Sequence, residues 1–163
     1  MSGYVLYDKA KVPHLKIVKK DTDEAFLRKK SRPVEQITPR IRTLLDDMVE
    51  TMRYANGCGL AGVQVGVLRR IVVIETDEGL FEMINPRIIA MAGEQESEEG
   101  CLSLPGEWGI TKRPMYVTAR ALNRDGEEYE IVAEGLLAKA ICHELDHLDG
   151  VLYTDKVIRK IED

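Results

Sequence analysis

The sequence predicts an α+β fold: antiparallel strands packed around a buried helix in the second half of the chain, with one amphipathic helix in the first half. Three observations predict it. A segment in the first half carries apolar residues at helical spacing. A second, more apolar helical segment follows the last of the strands. Between them lie short β-branched runs separated by turn-forming residues, the pattern of sequential antiparallel strands.

Residues 1–37 are mixed, are punctuated by Pro13 and Pro33, and read as loops and short strands around a core. Thr38 to Asn56 is the clearest helix. Thr38 suits the cap and Pro39 the first helical position. Ile41, Leu44, Leu45, Met48 and Met52 make one apolar stripe, which reads as core packing. Gly57 and Gly59 are expected to stop this helix. Arg70–Glu75 and Leu80–Ile84 read as strands joined by a hairpin turn over Thr76–Gly79. Ile88–Ala92 reads as a further strand after Asn85-Pro86. Met115–Leu122 and Glu128–Val132 flank Asn123-Arg124-Asp125-Gly126, strong hairpin chemistry. Gly135 to about Leu148 reads as the second helix.

The chain has 163 residues, the size of one domain, here read as spanning 1–163. Hydrophobic residues make up 44% and charged residues 31%, an ordinary globular balance. A net charge of -5 supplies no basic field, so neither sequence-specific nucleic-acid binding nor a membrane surface is expected. Lys19-Lys20 and Arg28–Arg32 have acids around them and read as solvated faces. No apolar run approaches the ~20 residues of a membrane helix. The start of the chain does not pair a basic segment with an apolar one, as a secretory signal would. The three cysteines, Cys58, Cys101 and Cys142, fit a reducing compartment, with the cytoplasm expected.

Chemistry concentrates in His143-Glu144-Leu145-Asp146-His147. Helical positions four apart share a face, so both imidazoles can reach one metal ion. Glu144 then lies beside the site, placed for proton transfer with a water activated there. Leu137, Ile141, Leu145 and Leu148 cover the other sides of the helix, as in a buried one. Asp146 is suited either to orienting a ligand histidine or to a salt bridge.

A catalytic site of this kind needs a third protein ligand. Downstream, Gly150 matches one metalloprotease pattern, but Tyr153 stands where a histidine is needed, and Glu162 is the one late glutamate. Upstream, Cys101 follows Glu98-Glu99-Gly100, and a thiolate is a good ligand for zinc or iron. A lone cysteine also serves as a small buried hydrophobe. Cys142 points about 100° away from His143 around the helix and is a poor co-ligand. Cys58 lies in a glycine-rich turn that can approach the site. That turn, residues 57–66, lacks the Gly-Lys-Ser/Thr of a phosphate loop. It suits a tight loop bringing N–H groups and the Gln64 amide to a substrate carbonyl.

Taken in order, these segments resemble those of the peptide deformylases, which carry G-x-G-L-A-A-x-Q, then E-G-C-x-S, then H-E-x-D-H. This chain reads GCGLAGVQ at 57–64, EGCLS at 99–103 and HELDH at 143–147. The one departure, Gly62 for alanine, is expected to leave more room behind the loop. Leu27-Arg28, Pro33-Val34, Asn85-Pro86 and Gly150-Val151-Leu152 extend the likeness over about residues 26–158. Little chain remains after the third motif to build the C-terminal helix that some members add.

The resemblance implies an α+β metal-dependent hydrolase that removes the formyl group from N-formylmethionyl peptides on nascent chains, at the ribosome, and releases formate. It implies that Cys101, His143 and His147 hold one divalent ion, Fe(II) in many members and otherwise Zn(II), Ni(II) or Co(II). It gives Glu144 the role of general base and acid toward the water at the metal and the leaving amine. It assigns Gln64 and the backbone N–H of Leu102 to the formyl oxygen, and the Gly59 backbone to the substrate peptide. Cys58, Leu136, Lys139 and Ala140 fall near the methionine pocket. Lys139 is unexpected there; its stem can line the wall while its ammonium reaches water. Trp108 replaces a basic residue of some members and reads either as a hydrophobic rim or as an ordinary core or surface residue. Two rival readings stand beside this one: a metalloendoprotease, and a metal-binding or ribosome-associated module without activity.

Overall fold

The computed structural model describes residues 15–161. The first 14 residues of the segment read as loops and short strands, Pro13 included, lie outside the described residues, as does Glu162.

The helices are α1 (Lys20–Leu27), α2 (Pro39–Tyr54) and α3 (Gly135–Leu148). Strands β1 (Gly59–Ala61), β2 (Ile71–Thr76), β3 (Gly79–Ala92), β6 (Tyr116–Leu122) and β7 (Glu128–Glu134) form one sheet in the order β1-β2-β3-β6-β7. Strands β4 (Gln95–Cys101), β5 (Leu104–Arg113) and β8 (Val157–Lys160) form a second, in the order β4-β5-β8. All strand pairs in both sheets are antiparallel. The expected α+β class is what the chain adopts.

Residues of β2 show where the layers sit. Val72 and Ile74 join the cluster formed with Leu137, Ile141, Leu145 and Leu148 of α3. Ile71 and Val73 join the opposite cluster, with Leu45, Met48 and Met52 of α2. Successive strand residues face opposite sides, so a strand apolar at four successive positions, Ile71 to Ile74, is covered on both. The five-stranded sheet is thus clamped between α2 and α3.

Thr38 caps α2 as expected, its hydroxyl accepting from Ile41 N–H at 3.3 Å. The helix does not end on glycine, however. Asn56 takes the left-handed turn at φ 58°, a conformation asparagine tolerates, and Gly57 N–H donates back to Met52 O at 3.0 Å. The glycines serve close approach instead. A Cβ on Gly57 would stand 2.6 Å from the Leu102 side chain.

Two further expectations are corrected, and one sheet went unread. Part of the segment read as loops and short strands is α1, in which the Asp23 carboxylate accepts from Phe26 N–H and the buried Leu27 packs with Leu104, Leu152 and Tyr153. The two runs at 80–84 and 88–92 are one strand, β3, irregular in register between Ile84 and Arg87 where Asn85 has φ 51°. The Asn85 side chain holds the kink, exchanging hydrogen bonds with the Val34 backbone at 2.8 and 2.9 Å. The sheet of β4, β5 and β8 carried no apolar alternation to reveal it; β4 reads QESEEGC.

Candidate active site

Helix α3 presents Leu136, Lys139, Ala140, His143 and Glu144 to one pocket of ≈ 580 Å³, whose other walls include Cys58, Gly59, Gln64, Cys101 and Leu102. Every residue singled out from the sequence for the pocket lies on it. His147 is buried just behind.

Strand β4 delivers Cys101. Its pairing with β5 slips sharply: Glu99 opposes Gly109, yet Cys101 opposes Leu104. Four residues of β5, Pro105 to Trp108, therefore stand against the single residue Gly100. The excess folds over the site's rim, and the Trp108 indole lies on Gly100, where a Cβ would meet the ring at 2.6 Å. Trp108 remains 57% exposed and lines the pocket, which excludes the core reading.

Cys101 Sγ, His143 and His147 bring their ligand atoms within 4.8 Å of one another. Sγ lies 3.3 Å from His147 Nε2, and the two imidazoles meet edge to face at 5.1 Å between centroids. A soft sulfur and two ring nitrogens facing one point are the donor set of a closed-side, open-front catalytic metal site. Two buried polar atoms here, Glu144 Oε1 and His147 Nδ1, lack a hydrogen-bond partner among the described residues. The residues present therefore fit a divalent ion.

His143 is aimed by Glu99, whose carboxylate accepts from Nδ1 at 2.7 Å. Glu99 also accepts from Arg113 Nε at 2.8 Å and Nη2 at 2.9 Å, and from the Thr111 hydroxyl. Arg113 Nη1 continues to Asp146 at 2.7 Å, which also meets Lys156 Nζ at 3.1 Å. Of the two readings of Asp146, the salt bridge is the one found. The orienting carboxylate is Glu99, present in the sequence only as an acidic neighbour of Cys101. Thr111 and Arg113 gave no signal, because their link to residue 99 runs across two strands. Tyr153, standing where one protease class has its third histidine, stacks on His143 at 5.8 Å.

The charges follow from this packing. Burial works against ionising Glu99, but its bonds from His143 and Arg113 win and hold its carboxyl far below the usual range. Burial opposes a proton on His143 too, yet Glu144, Cys101 and Glu99 raise its pKa well above the ordinary value. His147, buried beside His143 and Arg113, is held well below. Burial pushes the Glu144 carboxyl up to about 7 against the pull of His143.

Glu144 sits against Gly59, where a Cβ would stand 2.5 Å from Oε2. Gln64 is pinned by Ala61 N–H donating to its Oε1 at 2.9 Å. Its amide nitrogen points at Cys101 Sγ, 3.4 Å, and Ser103 Oγ, 3.1 Å. Leu102 follows Cys101 in the turn between β4 and β5. Behind this loop, the room expected at Gly62 is absent: a Cβ would stand 2.9 Å from the carbonyl oxygens of both Val67 and Arg69. The backbone has closed into the space that a methyl group would fill.

The chain matches the family model described as polypeptide deformylase over residues 14–162. It is 56% identical over 149 residues to a peptide deformylase of Acetivibrio thermocellus, covering 91% of this chain and 87% of that one. It is 53% identical over 146 residues to a peptide deformylase of Alkaliphilus metalliredigens, covering 90% and 99%. The fold superposes on the crystal structure of a peptide deformylase from Synechococcus elongatus in complex with actinonin, with TM-score 0.88, 35% identity and coverage of 94% and 84%. The peptide deformylase of Thermotoga maritima gives TM-score 0.84 at 33% identity, covering 88% and 97%.

Proposed function

The chain belongs to the peptide deformylase family, and from that premise we propose how its own residues carry the reaction. It is a metal-dependent hydrolase that removes the N-formyl group from nascent polypeptides. The family implies a divalent ion, and we assign Cys101, His143 and His147 as its ligands. When bound, the ion supplies Lewis acidity, making water nucleophilic at neutral pH and polarising an acyl oxygen.

Glu144 takes the proton of the attacking water and returns one to the leaving amine. Its burial favours this, since a carboxyl poised near 7 both accepts and donates at neutral pH. The Gln64 amide and the Leu102 N–H donate to the formyl oxygen as it gains charge. Gly59 offers backbone to the substrate peptide. Cys58, Leu136 and Ala140 line the methionine side chain's wall. The observation that carries the reading is the meeting of the Sγ and two ring nitrogens beside a buried carboxylate oxygen without a partner.

The finer points rest on chemistry. A thiolate with two imidazoles suits Fe(II), with Zn(II), Ni(II) and Co(II) as substitutes. Three free cysteines fit a reducing compartment, and with the family's substrate they support work in the cytoplasm on chains leaving the ribosome. The same reading takes residues 1–163 as one catalytic domain.

The test is formate release from formyl-Met-Ala-Ser by protein purified anaerobically with Fe(II), beside cleavage of unblocked casein. Rapid formate release without casein cleavage is expected. Casein cleavage alone means a protease, and neither activity at stoichiometric metal means a binding module.

A further inference from the structure

Along the pocket-lining face of α3, Leu136 and Ala140 offer apolar surface to a methionine side chain, and Lys139 stands between them. Its ammonium reaches water, as expected, but is also held in place. Nζ donates to the backbone carbonyl of Glu98 at 2.8 Å, and Glu98 lies on β4, which lines the same pocket. That contact ties helix to strand and fixes the charge at the pocket wall. An ammonium has three donors, and the Glu98 carbonyl takes one. Among the described residues, no carboxylate forms an ion pair with Lys139. A cation with donors to spare thus borders a pocket whose expected occupant is a thioether.

A thioether is a weak acceptor and gains little from such a neighbour. An apolar wall would serve it as well. A strong acceptor is different: stripped of water against an apolar wall it is penalised, and against a fixed ammonium it is compensated by a charge-assisted hydrogen bond. Given the deformylase reading, the first residue of every substrate is methionine. The form of that residue bearing a strong acceptor is its own oxidation product, the sulfoxide.

We propose that Lys139 is a specificity-determining residue that admits nascent chains whose formylmethionine is already oxidised to the sulfoxide. This rests on the deformylase reading and adds to it a second substrate class, hydrolysed by the same reaction. The lysine donates to the sulfoxide oxygen while Leu136 and Ala140 keep the methylene stem.

The experiment compares kcat/KM for formyl-Met-Ala-Ser, its methionine sulfoxide analogue and its norleucine analogue, using wild type, Lys139→Met and Lys139→Arg loaded with the same metal. Ratios between substrates cancel the fraction of folded, loaded enzyme. The sulfoxide-to-methionine ratio should fall at least tenfold in Lys139→Met and recover most of that in Lys139→Arg. The norleucine-to-methionine ratio should move less than about threefold, since norleucine has no acceptor to lose. A sulfoxide ratio unchanged within about twofold would leave Lys139 as a staple between α3 and β4 and overturn the proposal. So would an equal fall for norleucine, which marks a damaged pocket. Absence of formate release from formyl-Met-Ala-Ser by wild type is a separate result: it removes the deformylase reading and this proposal with it.

Discussion

Gly59 and Glu144 occupy one space, and that contact decides how the carboxylate stands. Gly59→Ala would drive a methyl group into Glu144 Oε2, 2.5 Å from the ideal Cβ position. The side chain has to yield, and displacement by about 1 Å costs on the order of 100-fold in rate. Formate-release kinetics should show that loss at unchanged metal content; near-normal kcat would mean the carboxylate's position is not critical. Gly62→Ala tests a different point. The family pattern has alanine there, yet two carbonyl oxygens fill the space, so the change should cost about 1–3 kcal/mol in urea unfolding. A neutral or stabilising result would contradict the packing described. Glu99→Gln should weaken metal retention about 10–100-fold, read by competition with a chelator. It removes the charge that aims His143 and leaves Arg113, 3% exposed, without its main partner. At this scale the meeting of Cys101, His143 and His147 beside Glu144 was legible because spacing along one helix and one short motif encodes it. Glu99, Thr111 and Arg113 were not, because their meeting depends on the register of β4 against β5.

Elements were legible where apolar periodicity marks a buried face. α2, α3 and the β6–β7 hairpin carry that mark, and β2 shows instead as an unbroken apolar run buried on both faces. α1 and the second sheet do not, since β4 is paired through polar residues and β8 is a short, mostly exposed edge. The stop after α2 was expected at Gly57 and Gly59 and is made by Asn56, because glycine is only the commonest residue in the left-handed position. α2 is further tied to β2 by Arg53, which donates to both oxygens of Glu75 at 2.8 and 2.6 Å. Arg53 holds the Glu75 carboxyl below its ordinary 4.5. A lowered folded pKa means stability that is present above the unfolded value and is lost as pH falls through the folded one. Wild type should therefore exceed Glu75→Gln by about 1 kcal/mol at pH 7. The gap should narrow steadily below the unfolded value of 4.5 in urea titrations. A gap independent of pH would exclude the ion pair as its source.

Across the whole molecule, Cys101 comes from the three-stranded sheet, while His143 and His147 come from the helix packed on the five-stranded one. An ion held by all three joins the two layers. Ligands bound only by the folded state stabilise it by mass action, about 3–4 kcal/mol at free ion 100 to 1,000 times its Kd. The loaded protein should thus melt roughly 10 °C above the chelated one at this chain length. Equal melting temperatures would mean that no ion bridges the layers. In the proposed mechanism Glu144 moves the protons while Cys101, His143 and His147 hold the metal without it. The measurement that reaches it most directly is formate release from formyl-Met-Ala-Ser by Glu144→Ala, alongside its metal content. A rate lowered about 100- to 10,000-fold at full metal occupancy is the outcome this account predicts. A rate near wild type at full occupancy would contradict it.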